Sequence, residues 1–236
     1  MHGGSGVHPV LATALVAVVG YLVLAAAAVG FGLLLTRELL RGALLDWDVD
    51  VTTWLVERRT PSRNDLSLVG SYFSESVTVM VILAAVLAVL ALTRHWRELG
   101  IVVVAMTVEA ATYLSATYFV ERRRPMVPRL EDLIVADSYF SGHVAAATAM
   151  YGSIAIVVWS LTRRAFLRGL VLVLAIVAPL VVALSRMYRG MHYASDVTVG
   201  ALVGIGCLVV AVLAVRAGTE AVDARCEDVP AGEHVR

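Results

Sequence analysis

Between the apolar runs Leu170–Leu184 and Val197–Val215 the chain carries Ser185-Arg186-Met187-Tyr188-Arg189-Gly190-Met191-His192-Tyr193-Ala194-Ser195-Asp196. Two arginines, a histidine and an aspartate thus stand where hydrocarbon should give way to water, and charge is costly there unless it has work to do. If the chain turns helical near His192, the four-residue spacing to Asp196 puts both side chains on one face. The carboxylate would then hold one imidazole nitrogen and leave the other free, which orients a nucleophile or a base. Arg186 and Arg189 suit an anion, because a guanidinium fork matches the oxygens of a phosphate. On these residues alone, an interfacial loop with arginines on lipid headgroups and a histidine capping a helix is an equal alternative.

Two further groupings raise the first reading. Arg122-Arg123-Arg124-Pro125 opens a polar insert, Glu121–Phe140, and Ser141-Gly142-His143 begins the apolar run that follows. The amides of a helix's first turn are unpaired donors at the positive end of its dipole, so they bind anions well. Gly142 permits close backbone approach. Several arginines, a helix N-terminus, a histidine held by a carboxylate and a second histidine describe a phosphate site with an in-line nucleophile and an acid.

The elements that must position these residues are membrane helices. With 59% hydrophobic and 16% charged residues in 236 and a mean hydropathy of +0.82, the chain is too apolar for a soluble domain of its length. It reads as an all-α polytopic membrane protein. Six spans are expected, Val10–Thr36, Leu66–Thr93, Leu99–Val120, Ser141–Leu161, Leu170–Leu184 and Val197–Arg216, each of a length suited to the hydrocarbon core or a little short of it. A short amphipathic helix over about residues 44–60, bearing Trp47 and Trp54, is expected on the membrane surface. The membrane domain would occupy residues 1–216 and a poorly ordered polar tail residues 217–236. An even number of spans puts both termini on one side. The surface helix, the 121–140 insert and the 185–196 loop then share the other.

Some classes drop out. Formal net charge is zero, so no overall basic bias points to nucleic acid. Cys207 and Cys226 have no metal-ligand spacing. The N-terminus lacks the basic region of a secretory signal, so the first run reads as a retained helix. A lone intramembrane acid, Glu109, is expected to face the bundle.

The chain resembles the type 2 phosphatidic acid phosphatase superfamily, membrane-integrated lipid phosphate phosphatases that share a site design with vanadium haloperoxidases. The family's third motif (serine-arginine, five residues, histidine, three residues, aspartate) is met by Ser185, Arg186, His192 and Asp196. The second, proline-serine-glycine-histidine, is met by Ser141, Gly142 and His143, with Phe140 in place of the proline. The first, lysine, six residues, arginine-proline, is met by Arg124 and Pro125, with Thr117 where the lysine would fall.

The resemblance implies that His192 attacks phosphorus, that Asp196 orients it and that His143 protonates the leaving oxygen. Arg124, Arg186, the Ser141 hydroxyl and the Gly142 amide would hold the phosphate oxygens, and Arg122 or Arg123 would supply the charge lost at Thr117. No metal or other cofactor is implied. The expected partners are a lipid phosphate and the bilayer, with no nucleic acid and no obligatory protein partner. Candidate substrates are phosphatidate, phosphatidylglycerophosphate and a polyprenyl diphosphate; a lipid phosphotransferase and a non-catalytic lipid-phosphate binder are the alternatives. The expected location is a bacterial plasma membrane with the site on the extracytoplasmic face. The arginine count opposes this, with eleven on the motif side against eight on the side of the termini.

Overall fold

The computed structural model describes residues 8–37, 42–132 and 137–227. Among these residues lie eight helices and no strand: α1 (Pro9–Arg37), α2 (Ala43–Glu57), α3 (Pro61–Tyr72), α4 (Ser76–Leu92), α5 (Trp96–Phe119), α6 (Gly142–Leu161), α7 (Ala165–Tyr188) and α8 (Ala194–Glu227). Six units are long and apolar enough to cross a membrane, with α3 and α4 together forming the second. The chain is thus an all-α integral membrane protein, as its composition requires. Residues 1–7, 38–41 and 133–136, and the tail from 228, fall outside the described residues.

Three elements differ from their sequence expectation. The second span begins earlier, at Pro61, where Thr60 accepts from the Arg63 amide at 3.3 Å and proline fills the first turn without losing a needed donor. It then breaks over Phe73–Glu75, because Ser71, Ser74 and Ser76 are short polar residues that compete poorly for the helical state. The Phe73 carbonyl freed there accepts from the Tyr151 hydroxyl at 2.9 Å. Second, α7 runs past Leu184 to Tyr188, taking Arg186 into its last turn. Third, the tail expected to be poorly ordered from residue 217 continues α8 as far as Glu227. Gly218 lies against Thr13 and the Pro9 carbonyl, so this end of α8 packs on the start of α1.

Packing is tight around α6, whose small residues Ala145, Ala147, Ala149 and Ser153 are fully buried. α5, α7 and α8 all pack against it. Gly200 of α8 meets the N-terminus of α6 so closely that a Cβ there would stand 2.6 Å from the Ser141 carbonyl oxygen. Small residues permit such backbone contact between membrane helices. Its consequence is that the first turns of α6 and α8, which carry His143 and Asp196, are locked side by side.

Candidate active site

On the motif side, α7 unwinds through a turn. The amides of Arg189, Gly190 and Met191 donate to the carbonyls of Ser185, Met187 and Arg186, at 2.9, 3.0 and 3.0 Å. Gly190 adopts φ +76, a left-handed conformation that glycine adopts without strain. The chain then passes His192 and enters α8 at Ala194. The polar insert folds over this turn: the Leu130 amide donates to the Arg189 carbonyl at 3.1 Å, and Arg59, beyond α2, donates to the carbonyls of Pro128 and Tyr188. The three segments expected on one face do meet there.

Beneath them lies a cavity of about 490 Å³. His143 and Gly142 from the start of α6, Arg186 from the end of α7, His192 and Met191 from the turn, and Arg124 from the insert all line it. Tyr113 of α5 and Ser71, Tyr72, Glu75 and Ser76 around the α3–α4 break complete one wall, with Glu131 and Asp132. The break in the second span therefore occurs where the chain lines a polar cavity, the place where irregular backbone is tolerated at membrane depth.

The His192 imidazole is held differently from the sequence expectation. Its Nδ1 lies 2.8 Å from the Ser138 carbonyl oxygen, whereas the nearer Asp196 oxygen is 3.9 Å away, beyond hydrogen-bond reach. The expected i,i+4 pairing fails because α8 begins two residues after His192, so the two side chains do not share a helical face. A carbonyl oxygen can only accept, so Nδ1 carries the proton and Nε2 is left with its lone pair. Nε2 stands 3.4 Å from Arg124 Nη1, and Arg124 also donates to the Met191 carbonyl at 2.6 Å. Burial, with Arg124 and Arg186 nearby, pushes the His192 pKa well below its ordinary 6.5. The ring is neutral at physiological pH.

Asp196 holds the framework around this ring. It is fully buried, accepts from the Ser138 hydroxyl, and receives the Tyr193 amide at 3.0 Å. That reach back to the residue before the helix is capping-box geometry. Its other oxygen pairs with Arg122. Arg122 is 3% exposed, donates to Asp48 of α2 at 2.7 Å and stacks on the Tyr193 ring at 4.5 Å. It does not line the cavity, and its charge is already taken by two carboxyl groups.

Arg123 is exposed, bridges through its backbone to Asp137 and lines an outer hollow with Pro125–Arg129. Neither arginine therefore supplies the cavity with the charge absent at Thr117, whose hydroxyl bonds its own helix at the Tyr113 carbonyl. Ser141 is fully buried behind Gly142, and its hydroxyl has no hydrogen-bond partner among the described residues. Glu131, unremarked in the sequence, grips both Arg186 (2.7 Å) and Arg189. Burial alone would raise its pKa, but the contact with Arg186 prevails and holds the carboxyl below its usual range. Asp48, Ser138 and Ser195 were also missed; their signal in sequence is only that of polar residues among apolar ones.

A sequence model of the PAP2 superfamily matches residues 98–220, more than half of the 236. The chain belongs to the PAP2 superfamily. All three PAP2 motif stretches fall inside that match, and their His143, His192, Arg124 and Arg186 meet at one cavity. Among solved structures, the fold is similar to a transmembrane PAP2 type phosphatidylglycerolphosphate phosphatase from Bacillus subtilis. The TM-score is 0.65 at 20% identity, over 92% of this chain and 97% of that one. It is also similar to Aquifex aeolicus LpxE, with a TM-score of 0.56 at 22% identity, over 73% of this chain and 96% of the other. No curated protein matches the chain. At these identities the two structures establish the fold, and the PAP2 topology accounts for the chain from α1 to α8.

Proposed function

We propose that this protein hydrolyses the phosphate ester or diphosphate of a membrane lipid through a phosphohistidine on His192. That it is a lipid phosphate phosphatase follows from its place in the PAP2 superfamily. The observation that carries the mechanism is the tautomer of His192: Nδ1 donates to Ser138, and Nε2 faces Arg124 in a cavity shared with His143 and Arg186. The Nε2 lone pair attacks phosphorus as the bond to the leaving oxygen breaks, and His143 gives that oxygen its proton. Water then yields a proton to His143 and attacks the phosphohistidine, the P–N bond breaks, and inorganic phosphate leaves. Arg124, Arg186 and the first-turn amides of α6 stabilise the charge on the equatorial oxygens. Asp196 acts on His192 through Ser138 and the Tyr193 amide, not by direct contact.

The substrate enters from the bilayer, since the cavity lies at the end of membrane helices. Phosphatidate, phosphatidylglycerophosphate and a polyprenyl diphosphate all present the required group, and our reading assigns the reaction to the extracytoplasmic face of a bacterial plasma membrane. The test is phosphate release by the purified protein in detergent with EDTA, across these three lipids, beside His192→Ala. Release that survives EDTA and disappears in His192→Ala is expected. Equal release by both proteins would remove His192 from the reaction, and phosphate appearing only on an added lipid acceptor would make the protein a transferase.

A further inference from the structure

The buried framework behind His192 continues to a residue that belongs to no motif and does not line the cavity. Asp48 sits on the inward face of α2 and is completely buried. Its Oδ2 accepts from Arg122 Nη2 at 2.7 Å and from the Ser195 hydroxyl, and its Oδ1 accepts the Ser195 amide at 2.9 Å. Arg122 donates in turn to the Ser195 hydroxyl at 2.8 Å and to Asp196. Asp196 holds the Ser138 hydroxyl and the Tyr193 amide, and the Ser138 carbonyl holds His192 Nδ1. A second strand of the same lattice closes on Arg122, whose carbonyl accepts the Ser138 amide at 2.7 Å. An unbroken series of hydrogen bonds among buried groups thus runs from the surface helix to the imidazole.

A carboxyl group at the centre of the inward face is a costly choice for a helix that only anchors, because an apolar side chain would serve there without desolvation. We propose that Asp48 is a positioning residue of the catalytic site: through Arg122 and Ser195 it fixes Asp196 and the turn bearing His192, which makes α2 part of the catalytic apparatus. Arg122 has one charge and meets two carboxyl groups. Without Asp48, the guanidinium turns wholly to Asp196, and the Ser195 amide in the first turn of α8 loses its acceptor. The turn carrying His192 then loosens, and attack on phosphorus is sensitive to displacements of an ångström or less. This inference rests on the hydrolase reading above.

The experiment compares wild type with Asp48→Asn, using dioctanoyl phosphatidate in detergent micelles. Asparagine keeps the shape and one acceptor oxygen, and Arg122 keeps Asp196. We expect kcat to fall about 10- to 100-fold with KM within about 2-fold, the range for groups that orient a reacting residue. Inhibition by orthovanadate, which mimics the trigonal-bipyramidal transition state on the His192 nitrogen, should weaken by a similar factor while inhibition by inorganic phosphate is unchanged. A merely structural role would not separate the two inhibitors. Should Asp48→Asn not fold, Ser195→Ala removes only the hydroxyl between Asp48 and Arg122 and should lower kcat about 3- to 10-fold, an order-of-magnitude expectation for one hydrogen bond. Trp54→Ala, on the exposed face of α2, serves as the control and keeps the wild-type kcat. Folded variants at Asp48 or Ser195 with wild-type kcat, or with raised KM alone, overturn the inference while the hydrolase reading stands. A wild type that releases no phosphate from phosphatidate, phosphatidylglycerophosphate or a polyprenyl diphosphate overturns both.

Discussion

At the scale of the residue, the informative feature is which atom holds His192. The sequence offers Asp196 four residues on, and spacing alone cannot reveal that the helix starts after the histidine. The Ser138 carbonyl, 54 residues away, takes that place, and no local pattern foretells a backbone acceptor from a distant loop. Burial keeps the imidazole neutral, which gives a pH prediction. A histidine whose folded pKa lies well below 6.5 retains its lone pair as pH falls through 6.5. The acid limb that the enzyme contributes to kcat/KM should therefore lie well under pH 6.5, once the ionisation of the substrate phosphate, measured separately by phosphorus NMR, is divided out. An enzyme pKa at or above 6.5 would mean that Nε2 is exposed to water or that a nearby carboxylate governs it. His143, His192, Arg124 and Arg186 were legible as a candidate cluster, and they line one cavity, because their types are costly at a membrane boundary. Arg122 was misplaced for the same reason, since a buried arginine in a framework has the same composition signal as one on a substrate.

At the scale of the element, the number and order of the spans were readable from hydropathy, and the surface helix from its period. The break in the second span was not, because Ser71 to Ser76 sit in a run apolar enough to read as one helix, and only the cavity explains why the interruption is tolerated. The far end of α8 was missed because its polar residues look like a tail, yet Gly218 docks on the start of α1. The packing of α8 on α6 carries its own prediction. Gly200→Ala would put a Cβ 2.6 Å from the Ser141 carbonyl, a backbone atom that cannot rotate away, so the first turns of the two helices must part. Overpacking of this kind costs about 1–3 kcal/mol, and it should appear as a lower unfolding temperature in detergent together with slower phosphate release. Gly30→Ala in α1, where a Cβ meets nothing within 4 Å, should show neither effect. Equal behaviour of the two variants would mean that the α6–α8 contact does not set the site.

For the whole molecule, six crossings place the start of α1 and the end of α8 opposite the cavity, and the question is which side faces the cytoplasm. Eleven arginines on the motif side against eight on the other would turn the cavity inward by a simple positive-inside count. Four of the eleven, however, belong to the framework or lining of the site: Arg122 between two aspartates, Arg124 and Arg186 at the cavity, and Arg189 on Glu131. An arginine held by a carboxylate or a substrate site is retained for that contact, so it says little about orientation. Seven then remain against eight, so the count no longer turns the cavity inward, and the expected outcome is an extracytoplasmic cavity. A thiol map decides this. In a Cys226→Ser background, with Cys207 buried, Arg123→Cys on the exposed outer hollow and Glu220→Cys on α8 mark the two sides. A membrane-impermeant maleimide added to intact cells should label the cysteine at 123 at once and the one at 220 only after permeabilisation. The reverse pattern would place the reaction in the cytoplasmic leaflet, where the lipid phosphate and the released phosphate would both be intracellular.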